Sequence, residues 1–180
     1  MTLSDPTPAA PADPAPRAAL CLRPARLDDP VVLSLVEEVQ QVYLQRYGGR
    51  DDTPTVPDQF AAPNGHFVLG HLGDEPVAMG GWRFRADRGP AAGSRLPGSR
   101  PAEIKRMFVR ERWRGRGLAR QVLAELETTA AAAGADWLVL ETGERQPEAL
   151  GLYRSAGYVP VPPFGLYADE EGSVYLGKRL

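Results

Sequence analysis

Apolar residues recur along the chain with two periods. Val32, Leu35, Val36, Val39, Val42 and Tyr43 repeat every three to four positions, the spacing that lines one face of a helix. Asp28 and Asp29 ahead of Pro30 give that helix an acidic, proline-led start, and Gly48 and Gly49 end it. Leu118, Val122, Leu123, Leu126 and Ala130 predict a second helix over residues 117–133, and Pro147 opens a third that closes at Gly157. Apolar stretches bounded by turn residues predict strands over residues 20–23, 66–72, 76–85, 102–110, 137–141, 158–161 and 173–178. Those at 66–72 and 76–85 form a hairpin through Gly73, Asp74 and Glu75. The order is strand, helix, three strands, helix, strand, helix, two strands, which predicts an α/β domain with a mixed central sheet. Residues 48–65, rich in Asp, Thr and Pro, read as a loop or a short irregular helix, and residues 86–101 as a mobile surface loop. Residues 1–17 carry Pro6, Pro8, Pro11, Pro14 and Pro16, so no helix propagates there; they read as a disordered tail before a domain at 18–180.

Composition narrows the function. With 180 residues, one domain has room for a core. Lys and Arg number 21 against 23 Asp and Glu, a net charge of −2, which argues against a dedicated nucleic-acid binder. No apolar run approaches the roughly 18 residues of a membrane span, and the first residues lack a secretory pattern, so a cytoplasmic protein is expected. Cys21 is the only cysteine, and with two histidines it makes no conventional structural zinc site; no metal is expected. His66 and His71, an odd number of positions apart, fall on opposite faces of their strand as ordinary residues.

The informative stretch runs from Glu103 to Arg120. Strict alternation places Glu103, Lys105, Met107 and Val109 on one face of a strand and Ile104, Arg106 and Phe108 on the other. Charge within a central strand needs a reason: Glu103 and Lys105 neutralise each other, or one of them points into a cleft as a catalytic group. Arg114, Gly115, Arg116 and Gly117 follow where the strand turns into a helix. Glycines there let backbone amides approach a ligand, and the positive helix end favours an anion such as a phosphate. Arg120 stands where a dinucleotide fingerprint needs its third glycine, and no Walker-type run occurs.

Arg112-Trp113-Arg114-Gly115-Arg116-Gly117 resembles the R/Q-x-x-G-x-G/A signature of the GNAT superfamily of N-acetyltransferases, in the same strand-to-helix setting. The segment from Pro147 to Tyr158 is similar to that family's other recurring segment, with an Ala, a Leu-Tyr pair and a Gly followed by an aromatic. The resemblance spans everything but the Pro-rich tail. It implies a GNAT-like mixed sheet of about six to seven strands flanked by helices, and acetyl-CoA as co-substrate without a metal. It implies that the strand edge at Met107, Phe108 and Val109 pairs with the pantetheine arm, and that an amide near Phe108 polarises the thioester carbonyl. The amides of Arg114, Gly115, Arg116, Gly117, Leu118 and Ala119 would hold the pyrophosphate. Arg112, Arg114 and Arg116 are phosphate contacts or solvated surface charges. Gln146 stands where many members carry a cofactor-binding Asn.

Acetyl transfer to an amine calls for a base, since an ammonium of pKa about 10.4 is almost wholly protonated at pH 7, and for an acid at the departing thiolate. By position in the family, Glu103 is the candidate base, unless its role is an ion pair with Lys105, and Tyr153 the candidate acid, unless it is a packed core residue. Glu141, on the next strand, is a second candidate carboxylate, though its position favours a strand-end surface residue. Cys21 lies far from these residues without a paired His, so direct attack in a ternary complex is expected. The expected acceptor is a primary amine of a small molecule or peptide. Tyr43, Tyr47 and Phe60 with Asp51, Asp52 and Asp58 suit a cationic amine with apolar bulk, unless those acids merely solubilise a loop. The usage of Ala, Arg, Gly and Pro suits a bacterial protein, and the family makes a homodimer a possibility. Two competing readings are a catalytically silent acyl-CoA-binding or regulatory domain and an RNA-binding patch at residues 112–120. The acidic balance speaks against the second.

Overall fold

The computed structural model describes residues 19–85 and 96–180. The tail expected at residues 1–17 and most of the loop expected at 86–101 lie outside them. The strands are β1 (Leu20–Pro24), β2 (Gly65–Leu72), β3 (Glu75–Phe84), β4 (Pro101–Val109), β5 (Trp137–Gly143), β6 (Val159–Pro160) and β7 (Ser173–Arg179). The helices are α1 (Pro30–Tyr47), α2 (Leu118–Ala132) and α3 (Pro147–Ser155), with 3-10 turns at Pro57–Phe60 and Glu111–Trp113. Every predicted helix and strand is present, the short strand after α3 in reduced form.

The strands form one sheet in the order β1-β2-β3-β4-β5-β7-β6. All neighbours are antiparallel except β4 and β5. Helix α1 starts as its sequence directs: Asp29 accepts a hydrogen bond from the Val31 amide at 2.7 Å, Pro30 occupies the first turn, and Gly48 caps the end at φ 78°. It lays Val32, Leu35 and Val39 against Phe67, Leu69, Met79 and Phe108 on one face of the sheet. Helices α2 and α3 cover the other face, where Leu118, Val122, Leu123, Leu126, Leu150 and Tyr153 pack on Val68, Ala78, Ile104 and Leu138. None of the helices among the described residues is long and apolar enough to cross a membrane.

Two irregularities shape the centre of the sheet. In the β3–β4 ladder Met79 pairs with Phe108 and Gly81 with Lys105, so Arg106 and Met107 together oppose Gly80. This is a β-bulge. Arg106 holds a φ of 57°, the only positive value of a non-glycine residue among those described. The bulge moves the side chains beyond it to the other face. Met107 and Val109 join Ile104 on the α2 side, and Phe108 packs under α1. The strict alternation expected for this strand therefore fails after Lys105, because two residues share one ladder position. Gly80 suits the place opposite: a Cβ there would lie 3.1 Å from both Met107 Cγ and Val122 Cγ1.

The second irregularity is a divergence. β4 and β5 pair only from Pro101 to Glu103 against Trp137 to Val139. From Ile104 onward the edge of β4 and the facing edge of β5 are not laddered to each other, although β5 stays paired with β7 as far as Gly143.

Candidate active site

The divergence opens a cleft of about 500 Å³. Its floor is the two strand edges, Ile104 to Met107 and Leu140 to Gly143. Tyr43, Tyr47 and Asp51 form one wall, Tyr167 and Ser173 another, and Gln146, Ala149 and Tyr153 of α3 a third.

Glu103 lies just behind this floor, on the last rung where β4 and β5 pair, and is 2% exposed. Its carboxylate accepts Arg85 Nη1 at 2.8 Å and Arg83 Nη2 at 3.1 Å, with Lys105 Nζ at 3.4 Å. Burial pushes the Glu103 carboxyl up, but Lys105, Arg85 and Arg83 outweigh it and hold its pKa below the ordinary value. The Lys105 ammonium, in contact with Glu103, also lies 4.0 Å from Glu141 Oε2 and 3.4 Å from Thr53 Oγ1.

Glu141 is the carboxylate on the cleft floor, held by Ser173 Oγ at 3.3 Å. Burial raises its pKa; Lys105 pulls the other way, and the negative charges of Asp51 and Glu103 add to the rise. Such a group titrates nearer neutrality than a free glutamate, as a proton acceptor should.

Tyr153 is buried in α3, with its ring 5.5 Å from that of Tyr158. Its hydroxyl lies against Met107 Sδ at 3.8 Å, on the floor of the cleft. Burial raises the phenol pKa, so the group keeps its proton at neutral pH. Gln146 stands at the N-cap of α3, lining the cleft, without a side-chain capping bond.

Beyond Val109 the chain passes through the 3-10 turn to α2. Gly115 and Gly117 take φ of 73° and 77°, a backbone open to glycine, and a Cβ at either would meet nothing within 4 Å. Gln121 makes the first backbone bond of α2, to the Gly117 carbonyl at 3.3 Å. The amides of Gly117, Leu118, Ala119 and Arg120 thus precede the helical ladder, at the positive end of a 15-residue helix. This surface suits a phosphate or diphosphate. The three candidate arginines are engaged nearby: Arg112 pairs with Glu75, Arg114 Nε donates to the Val109 carbonyl at 3.1 Å, and the Arg116 guanidinium stacks 4.5 Å over Trp113. Arg120 ties α2 to α3 through Ser155 Oγ at 2.7 Å.

Of the residues expected on the acceptor side, Tyr43, Tyr47, Asp51 and Asp52 line the cleft. Phe60 does not: it is buried beneath α1, edge-on to Phe67. Asp58 is exposed and faces Arg26 at 3.8 Å, away from the cleft. Sequence reasoning missed Tyr167 and Ser173, which arrive from the segment before β7 and from its first residue. Tyr167 reaches Asp51 across 116 positions of chain, and no local pattern marks it. His66 and His71 stand half-buried on β2, outside the cleft, and Cys21 is exposed on β1, three strands from β4.

A divergent strand pair that leads into a glycine-turned helix end has counterparts among known proteins. The family model described as the Acetyltransferase (GNAT) family matches residues 36–158. The chain belongs to the GNAT acetyltransferase family. This GNAT protein is 30% identical over 158 residues to an "IAA acetyltransferase" of Azospirillum brasilense, covering 88% of this chain and 95% of that one. An acetyltransferase structure from Thermus thermophilus shares its fold with a TM-score of 0.65 at 21% identity, over 91% of this chain and 99% of that one. A GNAT family acetyltransferase from Elizabethkingia anophelis, solved with acetyl-CoA bound, shares the fold with a TM-score of 0.58 at 17% identity, over 89% and 98% of the two chains. The protein is accordingly an N-acetyltransferase, of a family that uses acetyl-CoA as acyl donor.

Proposed function

We propose that this GNAT enzyme acetylates a primary amine of a small molecule or peptide by direct attack within a ternary complex, in the cytoplasm. The observation that carries this is the unpaired edge of β4 from Ile104 onward, with the Tyr153 hydroxyl at its floor and Glu141 facing it. Acetyl-CoA supplies the acetyl group as an activated thioester. The backbone of Met107, Phe108 and Val109 offers a strand edge to an extended ligand arm. The amides from Gly115 to Ala119 face the diphosphate, with Arg112, Arg114 and Arg116 beside them and Gln146 at the neighbouring helix start.

Glu141 accepts the proton that an ammonium must shed before its nitrogen can attack. As the carbon–nitrogen bond forms and the carbon–sulfur bond breaks, Tyr153 donates its phenolic proton to the sulfur and is reprotonated from the nitrogen. Glu103 acts on the same side through Lys105: its charge fixes the ammonium that Glu141 faces. The walls of Tyr43, Tyr47 and Tyr167 suit an amine with apolar bulk. Cys21 is too distant for an acyl-cysteine route.

The test is thiol release from acetyl-CoA against a broad panel of amines. Tyr153→Phe is expected to lower kcat by about 10²- to 10⁴-fold with acetyl-CoA binding retained. Glu141→Gln is expected to remove the acid limb of the kcat/KM profile, which lies above the ordinary glutamate pKa. Retained turnover in Tyr153→Phe would remove that residue from the mechanism. Cofactor binding without turnover on any amine would instead favour a silent acyl-CoA-binding domain.

A further inference from the structure

We propose that Asp51 is a positioning residue of the acceptor wall: its carboxylate fastens Arg106 in the left-handed bulge of β4 and sets the charge that Glu141 faces. The second half of this rests on the assignment of Glu141 above; the first rests on geometry alone.

Arg106 combines two unfavourable features. A left-handed backbone disfavours any residue with a Cβ by about 1–2 kcal/mol, and the side chain is 5% exposed while carrying a full charge. Asp51 is its ion-pair partner among the described residues, Oδ2 to Nη1 at 2.7 Å, and Arg106 Nε has no hydrogen-bond partner. A buried guanidinium with a single carboxylate depends on it.

Asp51 is itself fixed from two directions. Gln40 of α1 clamps its backbone, accepting from the Asp51 amide at 2.9 Å and donating to its carbonyl at 3.1 Å. Tyr167 donates to Asp51 Oδ1 at 3.3 Å and accepts from the Asp52 amide at 2.8 Å. Asp51 therefore links α1 through its backbone and the β4 bulge and the segment before β7 through its carboxylate, three sides of the same cleft.

The groups that face Glu141 are Lys105 and Glu103 from β4, Asp51 from the segment after α1, Tyr43 from α1, and Ser173 and Tyr175 from β7. Asp51 is the negative charge among them that stands on the acceptor wall. Its neutralisation lowers the pH at which Glu141 ionises and leaves the Arg106 cation without its partner beside the cleft.

The test uses the full chain and Asp51→Asn, which keeps the shape of the side chain. Glu141 is titrated by NMR with ¹³C-labelled glutamate, its signal assigned by loss in Glu141→Gln, and kcat/KM against pH is measured with acetyl-CoA and the fastest amine of the panel. In Asp51→Asn the Glu141 titration and the acid limb both move down by about half a pH unit or more. KM for the amine rises about tenfold, and the Kd of acetyl-CoA stays within about twofold. An unmoved Glu141 titration together with an unchanged amine KM overturns the proposal. A shifted titration with an unmoved acid limb upholds the coupling and overturns Glu141 as the base. If circular dichroism shows Asp51→Asn unfolded, Arg106→Gly carries the test. Glycine accepts the bulge, Asp51 loses the cation that offsets its charge while keeping its bonds from Tyr167 and the Thr53 amide, and the Glu141 titration must move up; no movement overturns the proposal.

Discussion

Replacing Glu103 by Gln removes one negative charge from a site where three cations converge. Arg85, Arg83 and Lys105 contact the carboxylate at 2.8, 3.1 and 3.4 Å, and all four side chains are 12% exposed or less. Glutamine fills the space but leaves those cations facing a neutral amide. Removing one partner of a buried pair destabilises by about 3–5 kcal/mol. At about 2–4 °C per kcal/mol for a domain of this size, Tm falls by roughly 6–20 °C at pH 7. The pH dependence has a definite sign. The Glu103 pKa is lower folded than unfolded, so its contribution is full above the unfolded value and fades as pH falls through the folded one. Thermal melts followed by circular dichroism should show wild type well above Glu103→Gln at pH 7, the gap closing in acid. A gap of less than about 2 °C at pH 7, or one that ignores pH, would refute the view of Glu103 as the anion that holds this cluster together.

Two glycines give opposite expectations. Gly115→Ala places a Cβ at a φ of 73°, a strain of about 1–2 kcal/mol relieved by reshaping the turn. Calorimetry should show acetyl-CoA binding weakened by about five- to thirtyfold. Gly151, inside α3 with nothing near its Cβ position, should accept Ala with a gain of about 0.5–1 kcal/mol, raising Tm by a few degrees without altering turnover. Glu141 opposes Glu103 in the stability profile: its raised folded pKa stabilises the protein most below the unfolded value, and that gain is lost as pH rises through the folded one. Glu141→Gln should therefore lose no stability at pH 7, as a melt will show.

Much of this was written in local sequence. Asp29, Pro30 and Gly48 bound α1 at the positions their chemistry predicts, and the Arg112 to Gly117 run marks the turn into α2. The limits of β3 and β4 differ from expectation by a residue, because ladder partners rather than composition decide where a strand ends. The bulge had no local sign, since the left-handed position is filled by Arg106 and not by a glycine. Its support comes from Asp51, far along the chain. Glu141 read as a strand-end surface residue for the same reason. Its burial is produced by β7 and by the segment after α1, which meet only in the folded chain. Phe60 and Asp58 show the converse: a composition suited to a cleft says nothing of which way each side chain turns.

The doubled rung opposite Gly80 also fixes how this strand tolerates length changes. Upstream and downstream of it the same strand runs in opposite phase. Excising Arg106 would make the pairing regular and still leave Phe108 opposite Met79 and Val109 opposite Ala78, each apolar group in its own layer. The doubled rung can thus lose a residue without exchanging the layers beyond it, whereas a one-residue deletion in a regularly paired stretch of the same strand would exchange them.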